Sequence, residues 1–548
     1  MEFTFTPTGT DWARISPELV MVATALLILL ADLALPRARR GWLALVALAG
    51  VVGAGVAVAW LGASGNQGPA FFGMVSSDLG ALVADALILL ACGLAVLLSP
   101  GYIERQGVSQ LGEYYALMAL AAAGMMLMAS ALNLMTIFIG LELLSLCLYV
   151  LSAFIARRFA SQEAGMKYFL LSSFASGFLV YGMSLTYGAT GSTALEGIRA
   201  YLEVHTRVPA TGFGPLLLAG LALMAVGFCF KVSAVPFHFW TPDVYTGAPT
   251  SVTAFMSVAT KVAAFAAIAR VYLFALAPVR ADWQPIFWGV AILSMVGGNV
   301  LAVTQTDVKR LLAYSSVAQA GYILIGIAVG TRAGYAASLV YLATYTVMNI
   351  GAFGVVAALE RADGQGTTLA DYAGLARRRP WLAAAMLLCL LALAGIPPLA
   401  GFLGKWAVFY SAVTGGHTEL AIVGLLASIA GVYYYLRVVW AMYFAEAAEG
   451  SSPPAPLPAG RGEPERAMGA PGLAQAPVAA PAATGGTAVA TAPAATAVVA
   501  APTPIPAPAL PLTGGLALLL ATGATLLALV LAGPLFDLAQ RAAAATLR

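Results

Sequence analysis

Residues 230–265 read FKVSAVPFHFWTPDVYTGAPTSVTAFMSVATKVAAF, and this stretch decides how the chain is understood. It is apolar enough to lie in lipid, yet it carries Lys231 and Lys261 in its body and Pro236 and Pro242 between them. A charge at the bilayer centre costs about 2.5–3.5 kcal/mol even on the mildest scale. Proline removes a helical hydrogen bond and frees a carbonyl, which is tolerated at membrane depth only where protein or water satisfies it. A broken helix beside two buried cations therefore points to an internal polar path and not to a passive anchor.

A second stretch repeats the arrangement: AGIPPLAGFLGKW, residues 394–406, sets Pro397 and Pro398 ahead of Lys405. Paired broken segments in two halves of a membrane protein are the sequence pointer to an ion pathway. The chain holds only five lysines against 22 arginines. Arginine stays charged in proteins, whereas a desolvated lysine can release its proton. Lys231, Lys261 and Lys405 are thus expected to take and release protons.

Composition sets the class. Of 548 residues, 61% are hydrophobic and 9% charged, with a mean hydropathy of +0.89, against about 25% charged in a soluble domain. The chain is expected to be an all-α integral membrane protein. Its net charge of +3 is small and scattered, which gives no footprint for nucleic acid. Cys92, Cys147, Cys229 and Cys389 stand singly in apolar runs, and His205, His238 and His417 are dispersed, so neither a metal nor a redox cofactor is expected in this chain.

At about 20 residues per crossing, spans are expected near 18–35, 42–62, 78–99, 115–132, 134–155, 164–188, 214–246, 250–277, 285–304, 311–330, 334–359, 380–412, 418–446 and 513–537, about fourteen in all. The first apolar run starts near Pro17 after Glu2, Asp11 and Arg14, with no basic leader and no cleavable signal evident. Every second loop is basic: Arg37, Arg39 and Arg40, then Arg157 and Arg158, Lys309 and Arg310, and Arg377 to Arg379. That side carries 14 Lys and Arg against seven opposite. The positive-inside rule then sets both termini on the outer, periplasmic face. Residues 447–512, rich in Pro and Ala, read as a disordered cytoplasmic linker before a last transmembrane helix at 513–548.

Polar side chains recur on helical faces. Glu142 is followed by Ser145, Tyr149 and Ser152, and Lys261 is preceded by Thr253, Ser257 and Thr260. Ser315, Gln319 and Tyr322 make another stripe, as do Tyr341, Tyr345 and Asn349. Such faces must look into protein or water. His238, at the helix break, is a further relay candidate. Lys167 and Lys309 read as boundary charges that snorkel. Arg270 and Arg437 should meet backbone carbonyls or an acid, and Asp32 and Asp85 lack an obvious partner, which suggests subunit contacts.

GLELLSLCLYVL around Glu142, KYFLLSSFASGFLVYG from Lys167, the stretch quoted first, QTDVKRLLAYSSVAQAGYILIG from Gln305 and AGIPPLAGFLGKW together resemble the antiporter-like, proton-translocating membrane subunits of respiratory complex I. The resemblance covers roughly residues 15–446. Within that family, the lysine at 405 in place of a sibling's glutamate, and the opening PELVMVATALLILLADL, favour one branch.

The resemblance implies a three-helix segment at 1–114, then two inverted five-helix repeats at 115–277 and 285–446, each with one Pro-broken helix. It implies that Glu142 pairs with Lys231, that Lys261 is central and that Lys405 faces the exit. It also implies a bacterial inner membrane and partner membrane subunits, sibling antiporter-like subunits among them. NADH, FMN, iron–sulfur clusters and quinone would lie in those partners. Two other functions fit the same residues less fully: a subunit of a multisubunit cation/proton antiporter, and a purely structural assembly subunit.

Overall fold

Long apolar runs closed by polar caps build the helices. Asp78 accepts from the Ala81 amide at 3.0 Å, Asn133 from Met135 at 2.9 Å, Asp307 from Arg310 at 2.8 Å and Thr331 from Gly334 at 3.1 Å, each satisfying an amide that a helix start leaves free. The computed structural model describes residues 6–205, 214–446 and 511–548. Among these, eleven helices are long and apolar enough to cross a membrane, from Ser16–Ala34 to Thr418–Tyr443, and a bent C-terminal pair brings the number to twelve.

The sequence suggested about fourteen, and the difference has a physical cause. Pro215–Lys231 has 17 residues and Pro380–Ala394 has 15, about 25 and 23 Å of helix against a hydrocarbon core of about 30 Å. Each is the first half of an interrupted helix, continued by Trp240–Gly247 and Ala400–Thr414. The breaks fall at the expected prolines.

The C-terminal segment corrects the expectation of one straight span. Leu512–Leu527 and Ala532–Thr546 meet at 91°. Pro534 has no amide hydrogen for the Val530 carbonyl, and Gly533 beside it weakens the turn further. The expected linker at 447–512 lies outside the described residues, except for Pro511 and Leu512, which cap and begin this helix.

Burial is layered. Thr250–Ala275 is enclosed throughout, and Val308–Val329 and Arg332–Leu359 nearly so, whereas Ser16–Ala34 and Arg40–Ser64 show most of their surface to the surroundings. The three enclosed helices carry the buried polar residues Ser257, Lys261, Ser315, Ser316, Gln319, Tyr341, Tyr345 and Asn349. Close helix approach depends on small residues: a Cβ on Gly124 would sit 2.7 Å from the Leu144 amide, and one on Gly298 would sit 2.5 Å from that of Ala318.

One end of the bundle is basic, and a buried carboxylate holds it together. Glu360, 1% exposed, meets Arg158 at 2.6 Å and Lys309 at 3.5 Å, and accepts from Tyr102 at 3.2 Å and from the Thr250 hydroxyl. Lys309 also donates to the Ala248 carbonyl at 2.7 Å and is wholly buried. This corrects its reading as a snorkelling boundary charge. Lys167 does lie at the edge, paired with Glu163 at 2.7 Å and Asp243 at 2.8 Å.

Burial pushes the Glu360 carboxyl up, but Lys309 and Arg158 outweigh it and hold the group below the usual carboxylate range. A depressed carboxyl stabilises above its unfolded value and loses that contribution as pH falls through its folded one. Glu360→Gln should therefore destabilise the chain by about 3–5 kcal/mol, because Lys309 is left buried without its counter-charge. The wild-type clamp should hold down to pH values below the ordinary range of Glu, about 4.3. Thermal unfolding of both proteins across a pH series checks the size and the direction.

Candidate functional site

Five lysines divide cleanly by partner. Lys167 and Lys309 have carboxylates within ion-pair distance, and both belong to the basic end. Lys231, Lys261 and Lys405 are 2%, 0% and 6% exposed, and none has a carboxylate within ion-pair distance among the described residues.

Neutral groups hold these three ammoniums in one recurring pattern. Lys231 donates to Ser145 at 2.7 Å, Lys261 to Ser316 at 2.6 Å and Lys405 to Ser428 at 2.6 Å. A tyrosine ring faces each Nζ: Tyr168 at 5.6 Å, Tyr245 at 5.9 Å and Tyr322 at 5.0 Å. A hydroxyl and a ring face attract a cation without neutralising it. The proton on such a lysine is held and remains transferable.

The helix breaks supply a further attraction. Lys231 is the last residue of Pro215–Lys231, and Lys405 folds back so that its Nζ reaches the Ala394 carbonyl, the last of Pro380–Ala394, at 2.8 Å. A helix C-terminus has unbonded carbonyls and the negative end of its dipole. Each break thus turns a helix end into a cation site in the protein interior.

The lysines belong to one string of contacts. Tyr168 stacks on Trp240 with centroids 4.7 Å apart, and Trp240 meets Tyr245 edge-on at 6.0 Å, which links the surroundings of Lys231 and Lys261 through aromatic rings. From Lys261 polar contacts follow in two groups, which meet through the chain neighbours Ser315 and Ser316. Tyr345 donates to Ser316 at 2.9 Å, Ser315 bonds the Tyr435 hydroxyl, Gln319 donates to Tyr435 at 3.2 Å, and Tyr341 donates to Gln319. Tyr341 stacks on Tyr322, whose ring faces Lys405.

Two expected relationships do not appear. Glu142 and Lys231 make no ion pair: Glu142 accepts from Ser176 at 2.6 Å, while Lys231 is bound to Ser145, one helical turn away from Glu142. Glu142 is half-buried at the flank of the string, beside a narrow crevice lined by Ser172, Ser176, Phe230 and Lys231. Among the described residues His238 makes no hydrogen bond with any of the three lysines, and its ring faces Tyr314 at 6.4 Å.

The arginines resolve as expected for groups that keep their charge. Arg270 binds the Ala129 carbonyl and Asp78, both at 2.7 Å, and Arg437 binds the carbonyls of Val303 and Gln305. Asp32 pairs with Arg40 at 3.2 Å. Among the described residues, no cluster of three His, Cys, Asp or Glu could hold a metal ion.

A family model described as NADH:quinone oxidoreductase/Mrp antiporter, transmembrane, matches residues 131–431, more than half of the chain. The chain belongs to this family. Similar members include proteins named NADH-quinone oxidoreductase subunit N from Trichlorobacter lovleyi, 47% identical over 78% of this chain and 87% of the relative, and from Moorella thermoacetica, 44% identical over 80% and 89%. A chain of respiratory complex I from Thermus thermophilus with bound aureothin shares 30% identity, 95% of this chain and 98% of its own, with a TM-score of 0.71. A chain of the Mrp complex from a Dietzia species shares the fold, at 21% identity and a TM-score of 0.77 over 98% of both chains. The membrane-subunit family suggested by the motifs is the one found, and the branch favoured by Lys405 bears the subunit N name.

Sequence reading identified the three lysines and Glu142, and Ser145 and Tyr322 within polar stripes, but missed the other partners. Ser428 and Tyr245 lie 23 and 16 residues from the lysines they meet, on different helices, so no local spacing marks them. Gly395 also escaped notice, although its role is visible in the geometry. It has φ +86°, and a Cβ there would lie 2.7 Å from Lys405 Cδ. Gly395→Ala should move the Lys405 ammonium off the Ala394 carbonyl, and a loss of about 1.4 kcal/mol at that step means about tenfold slower turnover. Coupled proton transport by assembled membranes, set against the amount of incorporated chain, checks this.

Proposed function

We propose that this chain is the proton-translocating membrane subunit of NADH-quinone oxidoreductase. In this reading, electron transfer from NADH to quinone in partner subunits drives proton export through Lys231, Lys261 and Lys405, with Glu142 as the group that senses the neighbour. The observation that carries it is the set of three buried lysines with neutral partners, joined by one string of contacts. NADH, FMN, iron–sulfur clusters and quinone belong to the partners; this chain supplies the proton path.

The energetics suit a row of sites. Moving one charge against about 200 mV costs about 4.6 kcal/mol, at about 2.3 per 100 mV, so entry, two lysine-to-lysine transfers and exit share about 1.2 each. A unit charge arriving about 10 Å from Glu142 or Lys231, at an effective dielectric near 20, contributes about 1.7 kcal/mol. One such event covers one step of about 1.2 kcal/mol. Glu142, half-buried, suits a receiver of that field, and because Lys231 is bonded to Ser145 and not paired with Glu142, the lysine can lose its proton without breaking a strong pair.

The same reading takes 115–277 and 285–446 as two inverted repeats, each with its broken helix fourth, and fourteen membrane segments once both broken helices and the bent C-terminal pair are counted. It sets the chain in a bacterial inner membrane with both termini outside. The open polar pocket of Glu163, Lys167, Asp243 and Arg310, at the basic end, suits proton uptake from the cytoplasm.

Lys231→Ala or Glu142→Ala should leave assembly intact and cut proton transport coupled to quinone reduction, and Lys405→Arg should fail as well, because arginine keeps its proton. Normal transport by an assembled complex with any of these changes refutes the relay. Sodium-dependent exchange without NADH would instead favour the cation/proton antiporter.

A further inference from the structure

One tyrosine away from Lys405 lies a buried amide that the lysine string does not include. Asn299 belongs to Arg280–Val303 and is 2% exposed. Its Nδ2 donates to the Met295 carbonyl at 2.7 Å and to the Tyr322 hydroxyl oxygen at 3.0 Å, and its Oδ1 accepts from the Tyr434 hydroxyl at 3.1 Å. Both amide hydrogens are used and the amide oxygen has a donor. These bonds fix the orientation: turned over, the amide would set its oxygen against the Met295 carbonyl, acceptor against acceptor.

Glycines bring three helices together at this level. Gly298, next to Asn299, allows the close approach to Ala318, and a Cβ on Gly431, one turn before Tyr434, would lie 3.0 Å from Asn299 Oδ1. Asn299 thus joins Val308–Val329, through Tyr322, to Thr418–Tyr443, through Tyr434. Tyr322 is 1% exposed and sets its ring 5.0 Å from the Lys405 ammonium. Its ring stacks on Tyr341 with centroids 6.3 Å apart and meets Phe409 edge-on at 6.1 Å. Packing holds the body of the ring, and the bond from Asn299 holds its far end. The attraction of a cation to a ring depends on the ring face lying toward the charge, so whatever fixes the ring fixes part of the lysine site. A satisfied amide in a dry interior is a rigid fixing point.

We propose that Asn299 is a positioning residue of the relay, which holds the Tyr322 ring against the Lys405 ammonium by its bond to the phenol oxygen. This rests on Lys405 carrying the proton. Asn299 makes no hydrogen bond to Lys405 among the described residues and acts through the ring. Without that bond the ring turns its hydroxyl to another acceptor and its face away from the ammonium. Lys405 then keeps Ser428 and the Ala394 carbonyl, and the step that passes through it slows.

A double-substitution cycle in the assembled complex tests this, read as proton transport per assembled complex in sealed vesicles. Asn299→Leu keeps the size of the side chain and removes its bonds, and Tyr322→Phe keeps the ring and removes the bonded hydroxyl. Each should lower transport about tenfold, the size of one buried hydrogen bond. The double variant should also lose about tenfold, because both changes remove the same bond. A merely structural role would reduce the amount of assembled complex and leave transport per complex unchanged. That result overturns the proposal, as do losses that multiply to about a hundredfold in the double variant. If Asn299→Leu does not assemble, Tyr434→Phe takes its place in the cycle, since it frees the amide oxygen and with it the orientation of Asn299. Lys405→Arg is measured beside them. Normal transport there removes the relay and this proposal together, whereas lost transport there with an unaffected Asn299→Leu overturns the positioning role alone.

Discussion

An ammonium ion with only neutral partners, held inside a membrane protein, is the constraint from which the rest follows. A carboxylate beside each of Lys231, Lys261 and Lys405 would make a comfortable ion pair and an inert one. Serine hydroxyls, tyrosine faces and the carbonyl ends of interrupted helices hold the charge less firmly. The contrast with the clamp at Glu360 is instructive. There Lys309 meets a full carboxylate, Arg158 adds a second cation, and the result ties the ends of several helices together. Paired charge holds the helix ends together, and in the proposed relay unpaired charge carries the proton.

That division explains the enclosure of the central helices. A lysine with weak partners keeps its cation only if lipid is excluded and polar groups are dense, so Thr250–Ala275, Val308–Val329 and Arg332–Leu359 are the most buried helices and carry the polar stripes. Their serines and tyrosines make a surrounding that can receive a proton from one lysine and pass it on. The breaks at Pro236 and Pro397 then have a clear physical use: they bring helix C-termini to the depth of the lysines.

Much of this was legible in the sequence where the signal is local. Proline beside lysine in an apolar run marks both broken helices, and the run lengths place the unbroken ones. Glu142 stood out because an acid in lipid is rare. Other features need the third dimension. Glu360 binds Arg158 and Lys309, 202 and 51 residues away, and nothing near any of the three announces a shared site. Asp85 looked partnerless, and among the described residues its buried Oδ1 has no hydrogen-bond partner. The C-terminal bend was hidden for the opposite reason: hydrophobicity continues across Gly533 and Pro534, and composition alone reads a straight span. The expected Glu142–Lys231 pair came from family resemblance, and here Lys231 donates to Ser145 while Glu142 accepts from Ser176.

Lys261 is the most direct test of the central claim, since it is fully buried, lies between the other two lysines and has Ser316 and the Ser257 carbonyl as its hydrogen-bond partners. The measurement is the number of protons moved per electron by the assembled complex in sealed vesicles, with Lys261→Met and Lys261→Arg beside the wild type. Both substitutions should lower the yield to the same extent, because one removes the proton carrier and the other keeps a charge that cannot be released. A wild-type yield with arginine at this position would show that a fixed charge is enough, and would contradict the account.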